Sequence, residues 1–330
     1  MNIAIVILNW NGRSLLEQFL PSVIKNSQEA VIYLADNAST DDSVTYVKTH
    51  FPEIRVVQNK INGGYAKGYN DALAKIDADI YCLLNSDVEV SKGWLAPILK
   101  TFQAFNEVAA IQPKILDYKK KTHFEYAGAA GGYIDKLGYP YCRGRIFDTL
   151  EKDNGQYDDS IPIFWASGAC LFIRKQVFES VGKLDEDFFA HQEEIDLCWR
   201  IQSNGYKIVY EGESIVHHLG GATLDSMNPK KTFLNFRNSL YLLVKNVPGK
   251  KVWFLVLIRM LLDGLAAFRF LLQGKFSHFF AIFKAHMSFY KNLSTLCKKR
   301  KKLSKTGKYY TYFSVVWQYF ILKRKHFNQL

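Results

Sequence analysis

The chain has 330 residues, 48% of them hydrophobic and 22% charged, a balance that excludes a disordered or fibrous protein. That length gives room for two domains, or for one large domain with an appendage. Charge is split along it: residues 1–244 carry 25 Lys plus Arg against 30 acids, net −5, while residues 245–330 carry 18 bases and one acid, Asp263, net +17. A mildly acidic body with a strongly basic tail points the tail toward a membrane surface or a nucleic acid.

Aromatic residues, at 15%, are frequent enough to suggest carbohydrate, membrane-interface or base-stacking surfaces. The five cysteines stand at 82, 142, 170, 198 and 297, with no CxxC pair. They read as reduced thiols of a cytosolic protein. The apolar run Ile3–Leu8 follows Met1 without a charged lead or a long apolar core, so no secretory signal is expected.

Strands and helices alternate in the first half. Ile3–Leu8 predicts a buried strand, and Ser14 with Glu17 an S-x-x-E capping box opening a helix to about Lys25. Val31–Ala35 predicts a second strand, and Ser39–Asp42 opens a helix that stops before Pro52. Ile54–Gln58 is a third strand, followed by a helix from about Ala66. Ile80–Leu84 is a fourth strand, Trp94–Phe105 a helix and Val108–Ile111 a further strand. This alternation predicts βαβ units and a largely parallel sheet. Asp117–Ile161, rich in Tyr, Gly and charge, has no clear period and reads as irregular structure or a small antiparallel insertion.

Polar residues follow the predicted strands. Asn9 ends the first, Asp36 the second, Gly63–Gly64 lie after the third, and Asn85–Ser86–Asp87 end the fourth. In an open parallel sheet these loops emerge at one edge, where ligands bind. Gly63 to Gly68 has P-loop spacing, but Tyr69–Asn70 replaces the required Lys–Ser/Thr, and no G-x-G-x-x-G follows a strand. Two acids remain, Asp36 and Asp87. One suits a base or ribose, the other a hard divalent cation shared with phosphate oxygens. Singly, each such group also reads as a turn former.

Seven segments in order resemble family 2 glycosyltransferases of the GT-A fold, close to bacterial rhamnosyltransferase-like members. They are Ile7–Asn11, Asp36–Asp41, Asn62–Asn70, Leu84–Glu89, Ser167–Ala169, Glu193–Leu197 and His218–Gly221, within roughly residues 3 to 240. The resemblance implies inverting transfer of a sugar from a nucleotide-diphosphate donor to an acceptor hydroxyl, in surface polysaccharide or glycolipid assembly. It implies donor binding by Asn9, Asp36, Asn62, Gly64, Asn70 and Asn85, with Asp36 at the base or ribose. It implies Mg²⁺ or Mn²⁺ held against the diphosphate by Asp87, with His218 beside it, and Glu194 as catalytic base. Two positions depart from the pattern: Asn85 stands at the first acid of the DXD motif, and Glu194 where Asp is common. Asp196 is the alternative base, and its i,i+4 spacing to Arg200 also fits a helix ion pair. Glu193 reads as a supporting acid and His217 as structural. Lys67 and Arg237 are candidate phosphate contacts, and Trp165 a candidate acceptor-pocket wall.

The tail needs its own account. Val252–Leu272 is apolar but contains Arg259, Asp263 and Arg269, which argues against a simple span. At ~100° per residue, Arg259, Asp263, Ala266, Arg269 and Gln273 share one sector. The aromatic stretch Phe276–Tyr290, the run Lys298–Lys302, Tyr309–Leu322 and Lys323–Lys325 follow. Apolar faces flanked by bases predict an interfacial membrane element; a helical cap packed on the body is the other reading. Because the bases border apolar runs and no binding module is recognisable, no nucleic-acid partner is expected. The expected architecture is thus an α/β, GT-A-like domain over 1–244, an open twisted, mostly parallel sheet flanked by helices. A helical, basic, membrane-associating segment follows over 245–330. The expected partners are a nucleotide sugar, a glycan or lipid-linked acceptor and the cytoplasmic membrane face.

Overall fold

In the computed structural model, residues 1–220, 228–302 and 308–330 are described. The first half alternates as β1 (Ile3–Asn9), α1 (Arg13–Asn26), β2 (Ala30–Asp36), α2 (Ser43–His50), β3 (Arg55–Gln58), α3 (Gly64–Leu73) and β4 (Ile80–Asn85). Parallel pairing joins β1 to β2 and β4, and β2 to β3. β1 and β4 are covered on both faces, which is why they are unbroken apolar runs rather than alternating ones. The capping box does not form: α1 begins after Gly12 without a side-chain cap, and Glu17 instead pairs with Arg13 at 2.8 Å.

β5 (Val88–Val90), α4 (Leu95–Ala104) and β6 (Val108–Asp117) follow. The stretch after β6 is indeed a small antiparallel insertion, a four-stranded sheet of β7 (Gly132–Ile134), β8 (Pro140–Cys142), β9 (Arg145–Ile146) and β10 (Thr149–Leu150). Then come β11 (Ser160–Pro162), β12 (Cys170–Arg174), α5 (Lys175–Ser180), α6 (Glu193–Ser203) and β13 (Lys207–His218). The large sheet runs β11-β13-β6-β12-β4-β1-β2-β3, with β5 paired to β13. β12 lies antiparallel between β4 and β6, and β13 parallel to β6. The sheet is therefore parallel through its first half and mixed beyond β4.

Among the described residues three α-helices follow β13, α7 (Pro229–Asn246), α8 (Val252–Leu272) and α9 (Phe276–Lys302), and two short helical turns, Trp317–Ile321 and Phe327–Gln329, come after them. The expected boundary at 244 falls inside α7. Val252, Leu255, Val256, Phe289 and Leu296 belong to the same apolar core as the body. Buried Lys245 pairs with Asp185 and with Asp196, the latter at 2.8 Å, and Lys299 pairs with Asp185 and Asp187.

α8 turns two of its charges, Arg259 and Asp263, inward, while Arg269 stays exposed. Arg259 bonds Asp263 at 2.9 Å, both buried, and its guanidinium lies 3.7 Å from the Tyr139 ring. Phe254, Leu257, Leu261, Leu265, Phe268 and Leu272 point outward, each more than half exposed. Phe276, Phe280 and Phe283 continue this surface on α9. No helix among the described residues is long and apolar enough to cross a membrane.

Candidate active site

Strand register levels the polar ends. Asn9 sits opposite Asp36, and Leu8 opposite Asn85, so three strand ends meet at one sheet edge. Asn9 is fully buried. Its amide donates to Asp36 Oδ1 at 3.3 Å and to the hydroxyls of Ser39 and Ser43. Its amide nitrogen thus orients Asp36, while its Oδ1 is buried without a hydrogen-bond partner. Asp36 is buried, and its other oxygen accepts the Ser39 N–H at 3.1 Å. Asn62 is exposed and shapes its own loop, accepting from Asn37 and from the Gly64 N–H, each at 3.0 Å. Gly64 has φ +79°, and a Cβ there would lie 2.4 Å from the Phe189 carbonyl oxygen. Only glycine fits that approach.

The β5–β13 pairing sets His218 opposite Val88, beside Asp87. His218 Nε2 is 3.1 Å from Asp87 Oδ1, and Nδ1 is 3.3 Å from Glu125 Oε2, all three residues being buried. The Asn85 amide lies 3.4 Å from the same Nε2. Burial opposes a charged imidazole here, but Glu125 and Asp87 outweigh it and push the pKa up to about 10. Side chains alternate along a strand, so His217 faces away and pairs with Glu89 at 3.5 Å. Two adjacent donors on an octahedral ion with bonds of ~2.1 Å lie about 3 Å apart. Asp87 Oδ1 and His218 Nε2 fit as such a pair once a cation takes the place of the proton between them. Glu125 on the far ring nitrogen is the usual orienting partner of a metal-binding imidazole. Among the described residues no group of three or more His, Cys, Asp or Glu side chains is assembled as a metal site. Glu125 lies in the irregular stretch after β6, where nothing local in the sequence marks it. Gly221, the last residue of the final motif, lies outside the described residues.

The third cluster stands at the start of α6. Phe189, His191 and Gln192 all adopt positive φ, between 65° and 70°, a costly backbone for residues with side chains. Within four consecutive residues, His191 Nε2, Gln192 Oε1, Glu193 Oε2 and Glu194 Oε2 are buried without a hydrogen-bond partner. Burial pushes the Glu194 carboxyl up to about 7, against the backbone N–H groups of the helix start. Burial, and then Glu194, hold Glu193 well above the usual carboxylate range. Burial and Lys231 bring His191 down to about 4, leaving it neutral. Tyr65 borders both acids, and its hydroxyl donates to the Gly168 carbonyl at 2.7 Å. It thus links the Gly63–Gly64 loop to Ser167–Ala169.

Several expected ligand contacts serve the fold instead. Asp196 is fully buried, bonded by Arg200 at 2.9 Å and by Lys245 and Asn246 at 2.8 Å. Against burial, Lys245 and Arg200 hold its carboxyl low. It is an ion-pair anchor, which corrects its reading as a base. Asn70 exchanges hydrogen bonds with the Leu184 backbone and reaches Glu186, so it staples a loop rather than a donor. Arg237 donates to the carbonyls of Asp187 and Phe188. Lys67 pairs with Asp71 and Glu186, and Trp165 is buried with its N–H on the Tyr133 carbonyl.

Comparison with known proteins adds independent findings. A family model described as "Glycosyl transferase family 2" matches residues 4–182, more than half of the chain. The N-acetylglucosaminyl-diphospho-decaprenol L-rhamnosyltransferase of Mycobacterium tuberculosis is 27% identical over 239 residues, covering 66% of this chain and 76% of that protein. The low-salt glycan biosynthesis hexosyltransferase Agl10 of Haloferax volcanii is 25% identical over 211 residues, 63% of this chain and 64% of its own length. Among solved structures, GalNAc-T7 with UDP, GalNAc and Mn²⁺ superposes with a TM-score of 0.59 at 17% identity, over 74% of this chain and 48% of that one. S. aureus TarS 1–349 in complex with UDP-GlcNAc gives 0.56 at 12% identity, over 92% of each chain. At such identities the likeness is one of fold.

Proposed function

The chain belongs to glycosyl transferase family 2, and from that premise we propose that it moves a sugar, with inversion, from a nucleotide-diphosphate donor to an acceptor hydroxyl. The observation that carries the reading is the separation of two acidic centres. A carboxylate–imidazole pair, Asp87 and His218, lies at the sheet edge; a raised carboxyl, Glu194, lies apart on α6. Inverting transfer needs this division between leaving-group stabilisation and proton abstraction.

We assign Asp87 and His218 to holding Mg²⁺ or Mn²⁺ against the diphosphate, with Glu125 orienting the imidazole. A divalent cation supplies Lewis-acid stabilisation of the departing charge. Asp36, fixed by Asn9, is assigned to the base or ribose; a carboxylate with two protein donors keeps lone pairs for a third. Glu194 takes the acceptor's proton. The acceptor oxygen forms the new bond to the anomeric carbon, and the bond to the diphosphate oxygen breaks with its electron pair. Tyr65 borders the base without competing for that proton at neutral pH.

The outer face of α8 and α9 supports peripheral attachment to an anionic membrane. The apolar face points outward, while Lys250, Lys251, Lys275, Lys284 and Lys291 are distributed around it. The free cysteines fit a cytoplasmic location. A lipid-linked acceptor of a surface polysaccharide or glycolipid would be met there.

Calorimetric titration with UDP, dTDP and GDP, with and without Mn²⁺, tests the donor site. One nucleotide is expected to bind in a manner requiring both Mn²⁺ and Asp87, and Asp87→Ala to abolish it. Glu194→Gln is expected to keep donor binding and lose transfer. Folded protein that binds none of the three overturns the reading.

A further inference from the structure

Between α7 and α9 lies an open cleft of about 520 Å³ that the chemistry above leaves unused. Its walls include Lys230 and Phe233 from α7, and Ser277, Phe280 and Lys284 from α9. Among the described residues no acid lines it and neither lysine has an ion-pair partner. Two cations set among phenyl rings suit an anion carried on an apolar body. Buried Thr232 and His278 join the two helices by a 2.8 Å hydrogen bond, so this part of the cleft's walls is fixed.

The cleft connects two surfaces already described. At one end the Lys230 ammonium lies 5.0 Å from the Phe189 ring. The Phe189 carbonyl receives the Tyr65 N–H at 2.8 Å, and its ring carbons occupy the space a Cβ on Gly64 would need. Gln192, two residues before Glu194, donates to the Asn235 carbonyl at 3.2 Å and to the Ser239 hydroxyl at 3.0 Å, tying the loop that carries the base to α7. At the other end Phe280 both lines the cleft and belongs to the outward apolar surface with Phe276 and Phe283.

We propose that this cleft seats the acceptor, a hydroxyl-bearing group joined through a phosphate or diphosphate to a long apolar chain. The charged head lies between Lys230 and Lys284. The chain leaves across Phe280 onto the α8–α9 face, and the end bearing the acceptor hydroxyl lies on the side of the loop that leads to Glu194. This rests on the transferase reading and gives that site its acceptor class. The same face that meets the bilayer thus delivers the substrate sideways from it.

The test uses the full chain and phosphatidylcholine vesicles of three kinds: plain, doped with a polyprenyl diphosphate, and doped to equal charge with phosphatidylglycerol. Wild type is compared with the Lys230→Gln/Lys284→Gln double variant, and both are titrated with the nucleoside diphosphate in Mn²⁺. Both lysines are exposed, so the fold is expected to survive, which circular dichroism checks. Wild type is expected to prefer polyprenyl diphosphate over phosphatidylglycerol. The double variant is expected to lose that preference by about tenfold or more, as charge-assisted contacts are removed, while keeping phosphatidylglycerol and nucleotide binding. Equal wild-type binding to both doped vesicles overturns the inference, because the lysines then read only bulk charge. A preference retained by the double variant overturns it too, as does competition by inorganic pyrophosphate as strong as that by the lipid. Nucleotide binding without a lipid preference removes this inference alone; loss of nucleotide binding in wild type removes the transferase reading beneath it.

Discussion

Glu194 gives the sharpest prediction, because its burial ties rate and stability to the same proton. With a pKa of about 7, it is roughly one-tenth ionised at pH 6 and nine-tenths at pH 8. An ordinary glutamate, near 4.3, is almost fully ionised at both. As general base it must be ionised, so kcat/KM is expected to rise about tenfold from about pH 6 to pH 8, with unit slope below 7 and a plateau above. The groups facing it are Glu193, Tyr65, Cys142 and Cys198, and burial raises the pKa of each. Release of nucleoside diphosphate at subsaturating acceptor, in one mixed buffer with Mn²⁺, is the assay. A flat profile down to about pH 5.5 refutes the reasoning. It would instead suit an acid held low, as Asp196 is by Lys245 and Arg200.

The same shift has a consequence for stability. A carboxyl whose folded pKa is raised favours folding fully below its unfolded value, and that contribution is lost as pH rises through the folded one. Between about pH 4.3 and 7, ionisation of Glu194 therefore erodes wild-type stability, by a few kcal/mol at most. Glu194→Gln escapes this cost. Relative to wild type it is expected to gain stability from pH 5 to pH 8 in urea unfolding, while transfer is lost at every pH. A variant whose relative stability ignores pH would show that Glu194 keeps its ordinary pKa.

Glu125→Gln is expected to weaken Mn²⁺-dependent nucleotide binding by about 10- to 100-fold by removing the charged partner of His218, and calorimetry checks this. Lys245→Met leaves Asp185 and Asp196 short of a buried cation, and a loss of about 3–5 kcal/mol is expected in urea unfolding; less than about 1 kcal/mol would mean the network is dispensable. Gly64→Ala meets both a positive φ and the Phe189 carbonyl at 2.4 Å, so nucleotide affinity is expected to fall at least about tenfold, whereas unchanged affinity would detach this loop from the donor site.

The residues that were legible in the sequence are those whose environment is set locally. β1 and β4 read as strands because burial on both faces leaves an unbroken apolar run, and their polar ends fall level because parallel register carries Asn9, Asp36 and Asn85 to one edge. What stayed hidden depends on chain brought from elsewhere. Glu125 gains meaning only where β13 turns His218 toward it. Asp196 showed its helical spacing to Arg200, but Lys245 lies 49 positions on, and without that cation a buried acid beside Glu194 competes as a base. α8 makes the point most plainly. Its charged sector was readable, yet a solitary amphipathic helix would turn that sector to water. Here Arg259 and Asp263 pair inside, against the Leu137 carbonyl, Tyr139 and His286, while Arg269 and Gln273 of the same sector stay exposed beside the outward apolar residues. Periodicity gives the faces of a helix; only the partners waiting across the core decide which face is turned in.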